Sequence, residues 1–306
     1  MKFKHQSLFW EICMRKGAKR VKLFTQHRSR TITLGVCLAT CMISSAFGSS
    51  LVSEFNPISN AVEVNYIATD QHVHQLWFNG AWHVTDLTTD TGAPNVAAGS
   101  ALVSEFNPIA NPNTVELNYI GTDQHVHQFW FNGTWHVGDL TAATGAPNVA
   151  AGSALASQFN SLENTAEVYY IGTDQHVHQF WFNGTWHAGD LTAATGASNV
   201  AAGSALASAF NPIANPHTVE VNYIGTDQHV HQFWFNGTWH VGDLTAGTRA
   251  PNAAAGSALA SEFNPISNAV EVNHIGTDQH VHQFWFNGTW HVQDLTAGTG
   301  APNAAP

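Results

Sequence analysis

From Ser49 to the C-terminus the sequence contains no lysine, no cysteine and no methionine, and its single cation is Arg249. Each absence excludes something. Without cysteine no disulfide framework can form, so burial and strand pairing must hold the fold. Without lysine and arginine the chain cannot neutralise phosphates, which excludes nucleic acid as a partner. The same shortage disfavours adhesion to anionic lipid headgroups. Against the one cation stand 20 acidic residues (21 less Glu11), a formal charge of 1 − 20 = −19 over this stretch.

The missing residue types are concentrated upstream. Nine of the ten Lys and Arg precede residue 31, and Cys13, Cys37 and Cys41 precede residue 49. A basic stretch ending at Arg30 is followed by an uncharged run from Thr31 to Phe47, and Ala46-Phe47-Gly48 supplies small residues for cleavage. Residues 1–48 therefore read as a signal peptide, with translation starting at Met1 or Met14. An uncleaved signal anchor is the alternative, although the apolar run is short for a membrane span. Either reading places the rest of the chain outside the cell, with no membrane insertion of the mature chain.

The remainder is repetitive. Thr-Asp-Gln recurs with its aspartate at Asp70, Asp123, Asp174, Asp227 and Asp278, and GTDQHVHQFWFNGTWH is identical in repeats two to five. Five repeats result, 49–98, 99–151, 152–202, 203–255 and 256–306, which leave no room for a second domain. In the second repeat, strands are expected at Ala101–Asn107, Thr114–Gly121, His125–Phe131 and Thr134–Thr141, and no stretch shows a helical period. Four strands in about fifty residues is propeller spacing. The expected fold is all-β, a five-bladed β-propeller of four-stranded antiparallel blades, closing within one chain or between copies in a homo-oligomer.

Asn132-Gly133 is a strong hairpin signal because both residues tolerate positive φ. It also accounts for the Asn-Gly-Thr sequons at Asn132, Asn183, Asn236 and Asn287. A two-residue turn pairs Trp130 with Trp135 and Phe129 with His136. His125, His127 and His136 then share one face, with Glu116 and Asn118. Gln128, Trp130, Trp135 and Asp139 share the other, with Leu117 and Tyr119.

Two candidate sites follow. The first is a triple-histidine set able to hold Zn²⁺ or Cu²⁺. It recurs as His72/His74/His83, His125/His127/His136, His176/His178/His187, His229/His231/His240 and His280/His282/His291. The bland reading is that these imidazoles pack on aromatics and bond to backbone, with no cofactor. The second site is an aromatic platform bordered by an amide, suited to the C–H face of a sugar. Its residues are Tyr66, Gln75, Trp77 and Trp82; Tyr119, Gln128, Trp130 and Trp135; Tyr170, Gln179, Trp181 and Trp186; Tyr223, Gln232, Trp234 and Trp239; and Gln283, Trp285 and Trp290. Here the bland reading is core packing.

The run Tyr119–His136, YIGTDQHVHQFWFNGTWH, resembles the blade of the fucose-binding propeller lectins of fungi and soil bacteria. Trp135 matches the tryptophan after the turn, Tyr119 fits the family tyrosine and Gln128 falls where the family has glutamate. The resemblance implies the propeller fold and a lectin-like role with a glycan or polysaccharide partner. The family arginine would fall at Leu117 and is absent, so the resemblance does not extend to fucose as ligand. Identical polar groups repeated five times suit multivalent binding better than catalysis, which needs one asymmetric constellation. The expected function is a secreted multivalent carbohydrate-binding propeller and not an enzyme; the alternative is a metal-binding or purely structural propeller.

Overall fold

A computed structural model describes residues 50–110, 113–214 and 217–305. The expected signal peptide lies outside the described residues. The fold is a five-bladed β-propeller, with five antiparallel sheets each made of four strands consecutive in sequence. Blade 1 holds β1 (Leu51–Asn56), β2 (Ala61–Ile67), β3 (Val73–Phe78) and β4 (Trp82–Asp86). Blade 2 holds β5 (Leu102–Asn107), β6 (Thr114–Ile120), β7 (Val126–Phe131) and β8 (Trp135–Asp139). Blade 3 holds β9 (Leu155–Asn160), β10 (Thr165–Ile171), β11 (Val177–Phe182) and β12 (Trp186–Asp190). Blade 4 holds β13 (Leu206–Asn211), β14 (Thr218–Ile224), β15 (Val230–Phe235) and β16 (Trp239–Asp243). Blade 5 holds β17 (Leu259–Asn264), β18 (Ala269–Ile275), β19 (Val281–Phe286) and β20 (Trp290–Asp294).

The expectation of no helix is corrected. A single helical turn follows each fourth strand: α1 (Leu87–Thr91), α2 (Leu140–Thr144), α3 (Leu191–Thr195), α4 (Leu244–Thr248) and α5 (Leu295–Thr299). Asp139 caps α2, its Oδ1 accepting the Ala142 N–H at 2.8 Å, and Gly145 closes it in the left-handed conformation. Caps and a left-handed terminator define such a turn, which is too short for a hydrophobic period to register. Strand four therefore ends at Asp139 rather than at Thr141.

The two-residue hairpin is also corrected. Asn132 donates its N–H to the Thr134 carbonyl, and Phe131 lies opposite Trp135, so the loop is Asn132-Gly133-Thr134. The preceding turn likewise holds three residues, Thr122-Asp123-Gln124, because Gly121 N–H donates to the His125 carbonyl. A one-residue slip moves every side chain of a strand to the other face. One face of blade 2 thus carries Glu116, Asn118, Gln128, Trp130 and His136, and the other carries Leu117, Tyr119, Phe129, Trp135 and Val137.

Burial between blades makes the core. Val73, Leu87 and Val96 meet Leu102, Leu117, Tyr119 and Phe129 across the first junction, with Trp135 and Val137 covering its edge. Equivalent clusters fill the second, third and fourth junctions. Among the described residues no cluster joins blade 5 to blade 1. Trp82 and Val84, the counterparts of Trp135 and Val137, are accordingly 58 % and 66 % exposed. Among the described residues no helix is long and apolar enough to cross a membrane.

Candidate ligand-binding clefts between the blades

Each blade offers its neighbour a polar face, and that face is anchored by a glutamate. In blade 4, Glu220 Oε1 accepts from Asn211 Nδ2 at 2.6 Å and Oε2 accepts from Gln232 Nε2 at 2.9 Å. The same Asn–Glu bond recurs as Asn56–Glu63, Asn107–Glu116, Asn160–Glu167 and Asn264–Glu271. Sequence reasoning missed these glutamates. It set Glu116 beside the histidines because of the wrong turn length, although a glutamate at that place recurs in all five repeats. Burial pushes the Glu220 and Glu116 carboxyls up to about 7, against partial compensation from the Asn and Gln amides.

Above Glu220 a cavity of about 690 Å³ opens between blades 4 and 5. Blade 4 contributes Glu220, Gln232 and Trp234, and blade 5 contributes Phe286 and Trp290. The predicted tryptophan pair is corrected here. Trp130 and Trp135 lie on opposite faces of their own sheet, and the rings that share a cleft come from successive blades. Trp234 spreads over Gly242, where a Cβ would approach its ring to 3.1 Å, and stacks on His240 with centroids 5.3 Å apart. Gly138 and Gly189 make the same room for Trp130 and Trp181. In blades 1 and 5 the position holds Thr85 and Gln293, and there Trp77 and Trp285 draw in to 4.1 Å from His83 and His291.

The clefts are not equivalent. Blade 3 has Tyr169 where blades 1, 2, 4 and 5 have Asn65, Asn118, Asn222 and Asn273. Its buried ring approaches Trp239 edge-on at 6.3 Å, and its hydroxyl donates to Glu167. Asn118 is fully buried, and neither atom of its amide has a partner.

The predicted tyrosines do not reach a cleft. Tyr119, Tyr170 and Tyr223 are buried in the apolar face, and their hydroxyls donate to the carbonyls of Pro94, Pro147 and Ser198, each at 2.9 Å. Tyr66 stacks on His74 with centroids 5.6 Å apart. Gln75, Gln128 and Gln179 are buried on the polar faces of their blades, Gln232 lines the cavity, and Gln283 donates to Glu271 at 3.0 Å. Trp186 and Trp239 cover the edges of the second and third junctions.

The triple-histidine set is broken by the same slip in register. His136 stacks on Trp130 and its Nε2 lies 3.0 Å from Asn132 Oδ1. His83, His187, His240 and His291 repeat that placement. His125 and His127 stay together, joined by Asp123 and Asp139 in place of a third imidazole. His72 and His74 cluster in the same way with Asp70 and Asp86, and His280 and His282 with Asp278 and Asp294.

Blades 3 and 4 require a further correction, because His178 and His231 do not join the ligand sets predicted for them. The clusters there hold only Asp174, His176 and Asp190, and Asp227, His229 and Asp243. His178 Nε2 lies 3.0 Å from both oxygens of Asp174, and His231 Nε2 lies 3.1 and 3.0 Å from those of Asp227, so each keeps its aspartate while falling just outside the mutual 4.8 Å spacing of the set. The rings of His178 and His231 sit 5.2 and 5.3 Å from Tyr170 and Tyr223, whereas His127 stands 5.5 Å from Tyr119.

No family profile and no curated protein matches the chain. Solved structures do. AofleA from Arthrobotrys oligospora superposes with a TM-score of 0.58 at 17% identity, over 86% of this chain and 73% of that one. A lectin from Burkholderia pseudomallei gives 0.57 at 17% identity, over 85% and 71%. The Aleuria aurantia lectin, described as a six-bladed β-propeller with a novel fucose recognition mode, gives 0.54 at 14% identity, over 84% and 80%. At the level of fold, the chain therefore takes its place beside the β-propeller lectins.

Proposed function

We propose that the chain is a secreted, multivalent carbohydrate-binding protein whose sugar sites are the clefts between successive blades. The observation that carries this reading is the cleft of blades 4 and 5. Trp234 and Trp290 offer apolar walls, and Glu220 and Gln232 set a carboxyl and an amide at the floor. Flat aromatic surface for C–H faces plus a few directed hydrogen bonds is what sugar recognition requires. The lectin identity of the Aleuria aurantia and Burkholderia pseudomallei proteins supports the same class of ligand. Among the cleft residues there is no arginine or lysine. The charge-assisted bonds that a cation would give are absent, and these are about twice as strong as neutral ones. The reading therefore favours neutral polysaccharide bound through several modest sites, with avidity from repetition. It does not favour one tight monosaccharide site.

Binding without catalysis fits the same geometry. The glutamate, glutamine and tryptophan recur in every blade. A glycan array and a polysaccharide pull-down with residues 49–306 test the reading. Retention on at least one neutral glycan, weakened in Trp234→Ala, is expected. Blank results in both assays would overturn it.

A further inference from the structure

Outside the clefts, one cluster recurs in every blade and plays no part in the sugar reading. In blade 2 it comprises Asp123, His125, His127 and Asp139. His125 Nδ1 lies 2.7 Å from Asp139 Oδ2 and 3.9 Å from Asp123 Oδ2, and His127 Nε2 lies 3.0 Å from Asp123 Oδ2. All four ligand atoms fall within 4.8 Å of one another. A tetrahedral ion with bonds of 2.0–2.1 Å needs ligand atoms about 3.3 Å apart, and these separations bracket that value. We propose that the clusters are binding sites for a divalent transition-metal ion of the Zn²⁺ class. Two imidazoles and two carboxylates are the ligands in blades 1, 2 and 5. In blades 3 and 4 one imidazole and two carboxylates remain, with His178 and His231 holding an aspartate from outside the set.

Three observations support the assignment independently of the ligand distances. The first is a cradle. A Cβ on Gly121 would stand 2.5 Å from Asp123 Oδ1 and 2.6 Å from His127 Cδ2, so the bare position lets both aspartate oxygens meet the histidine. Gly172, Gly225 and Gly276 repeat this contact. Blade 1 has Ala68 there, and its cluster is looser: His74 meets Asp70 through one oxygen at 2.9 Å and is 16 % exposed, against 3 % for His127. The second is orientation from behind. Ala142 N–H fixes Asp139 through Oδ1, and His125 N–H fixes Asp123 through Oδ1, which leaves each Oδ2 for the ion. Such outer hydrogen bonds commonly hold metal ligands in place. The third is charge. Ten of the 20 acidic residues after position 48 are these aspartates, and the only cation in that stretch, Arg249, terminates α4 instead. Mixed imidazole and carboxylate donors suit Zn²⁺ or Cu²⁺ better than Ca²⁺ or Mg²⁺.

Titration calorimetry of the chelator-treated protein with ZnCl₂ tests this. Saturable binding is expected in two classes, a tighter one from the clusters with four ligands and a weaker one from those of blades 3 and 4. Replacing His72, His125, His176, His229 and His280 together by Gln should lower affinity by at least about tenfold. Replacing the hairpin histidines His83, His136, His187, His240 and His291 by Gln should leave both stoichiometry and affinity unchanged. If the first set fails to fold, the single change His125→Gln still reads out, as the loss of one tight equivalent. Absence of saturable heat, or equal losses in the two histidine sets, overturns the proposal. Glycan retention is measured separately, so failure here leaves the cleft reading standing, and the reverse also holds.

Discussion

The Tyr119 hydroxyl donates to the Pro94 carbonyl at 2.9 Å, across 25 residues of chain, and so ties blade 2 to the connector arriving from blade 1. Blade 5 has His274 at the corresponding place, stacked on Phe284 with centroids 4.9 Å apart. Burial pushes that imidazole down to about 4, so it is neutral at physiological pH. His274→Tyr restores the hydroxyl used in the other junctions. A net gain of about 1 kcal/mol is expected from the added hydrogen bond. Urea denaturation checks it, and a lower midpoint would count against the tyrosine as a tie between blade and connector.

Arg249 closes α4 at φ 61°, a position held by glycine in the other four helical turns. A side chain in the left-handed region carries a steric cost that glycine avoids. Arg249→Gly should therefore stabilise the protein by up to about 1 kcal/mol. The change also removes the last cation after residue 48, so it should leave sugar retention unaltered if the clefts work without positive charge.

Buried carboxyls set the pH response. Burial raises Glu54, Glu116 and Glu220 from 4.5 to about 7, so the folded protein holds protons that the unfolded chain releases. Stability is thus fully present below pH 4.5 as far as these groups are concerned, and it falls as pH rises toward 7. The thermal midpoint should be higher at pH 5 than at pH 7.5. Glu220→Gln should flatten part of that slope. A midpoint rising steadily from pH 5 to 7.5 would contradict the protonated state of these side chains.

Tyr169 is buried at the junction of blades 3 and 4, edge-on to Trp239 at 6.3 Å. Tyr169→Asn gives blade 3 the residue found in blades 1, 2, 4 and 5, and frees Glu167 from the tyrosine hydroxyl. One additional glycan site per chain is expected by calorimetry with an oligosaccharide retained by the parent protein. Loss of about 3 kcal/mol or more in stability is the accompanying cost of removing a buried aromatic ring. Unchanged stoichiometry in a folded variant would show that the ring does not block the cleft.

Much of this architecture could be read from the repeats. The period of about fifty residues, the chain breaks and the Asn-Gly signal were enough to place four strands per blade and five blades. Side-chain placement depended on loop length, and there the sequence was ambiguous. Asn132-Gly133 fits a two-residue turn, but Thr134 joins the loop, and that single residue separates Trp135 from Trp130 and His136 from His127. His178 and His231 were beyond reach for a subtler reason. Their sequence context matches that of His127, and they differ from it only in falling just outside the mutual 4.8 Å spacing of the other ligand atoms. The helical turns escaped because Leu140–Thr144 owes its conformation to the Asp139 cap and the Gly145 terminator, neither of which leaves a periodic signature. The glutamates at the cleft floors became visible only when the corrected register turned them toward the neighbouring blade.

Among the described residues every sheet is made of strands consecutive in sequence, so no blade there borrows a strand from another repeat. A genetic exchange that adds or deletes one repeat leaves every hydrogen-bonded ladder whole and alters only the number of junctions. Stretches as alike as GTDQHVHQFWFNGTWH invite such exchange between misaligned copies. The blade is then a heritable unit as well as a structural one. Valency can change in whole steps without any strand having to find a new partner.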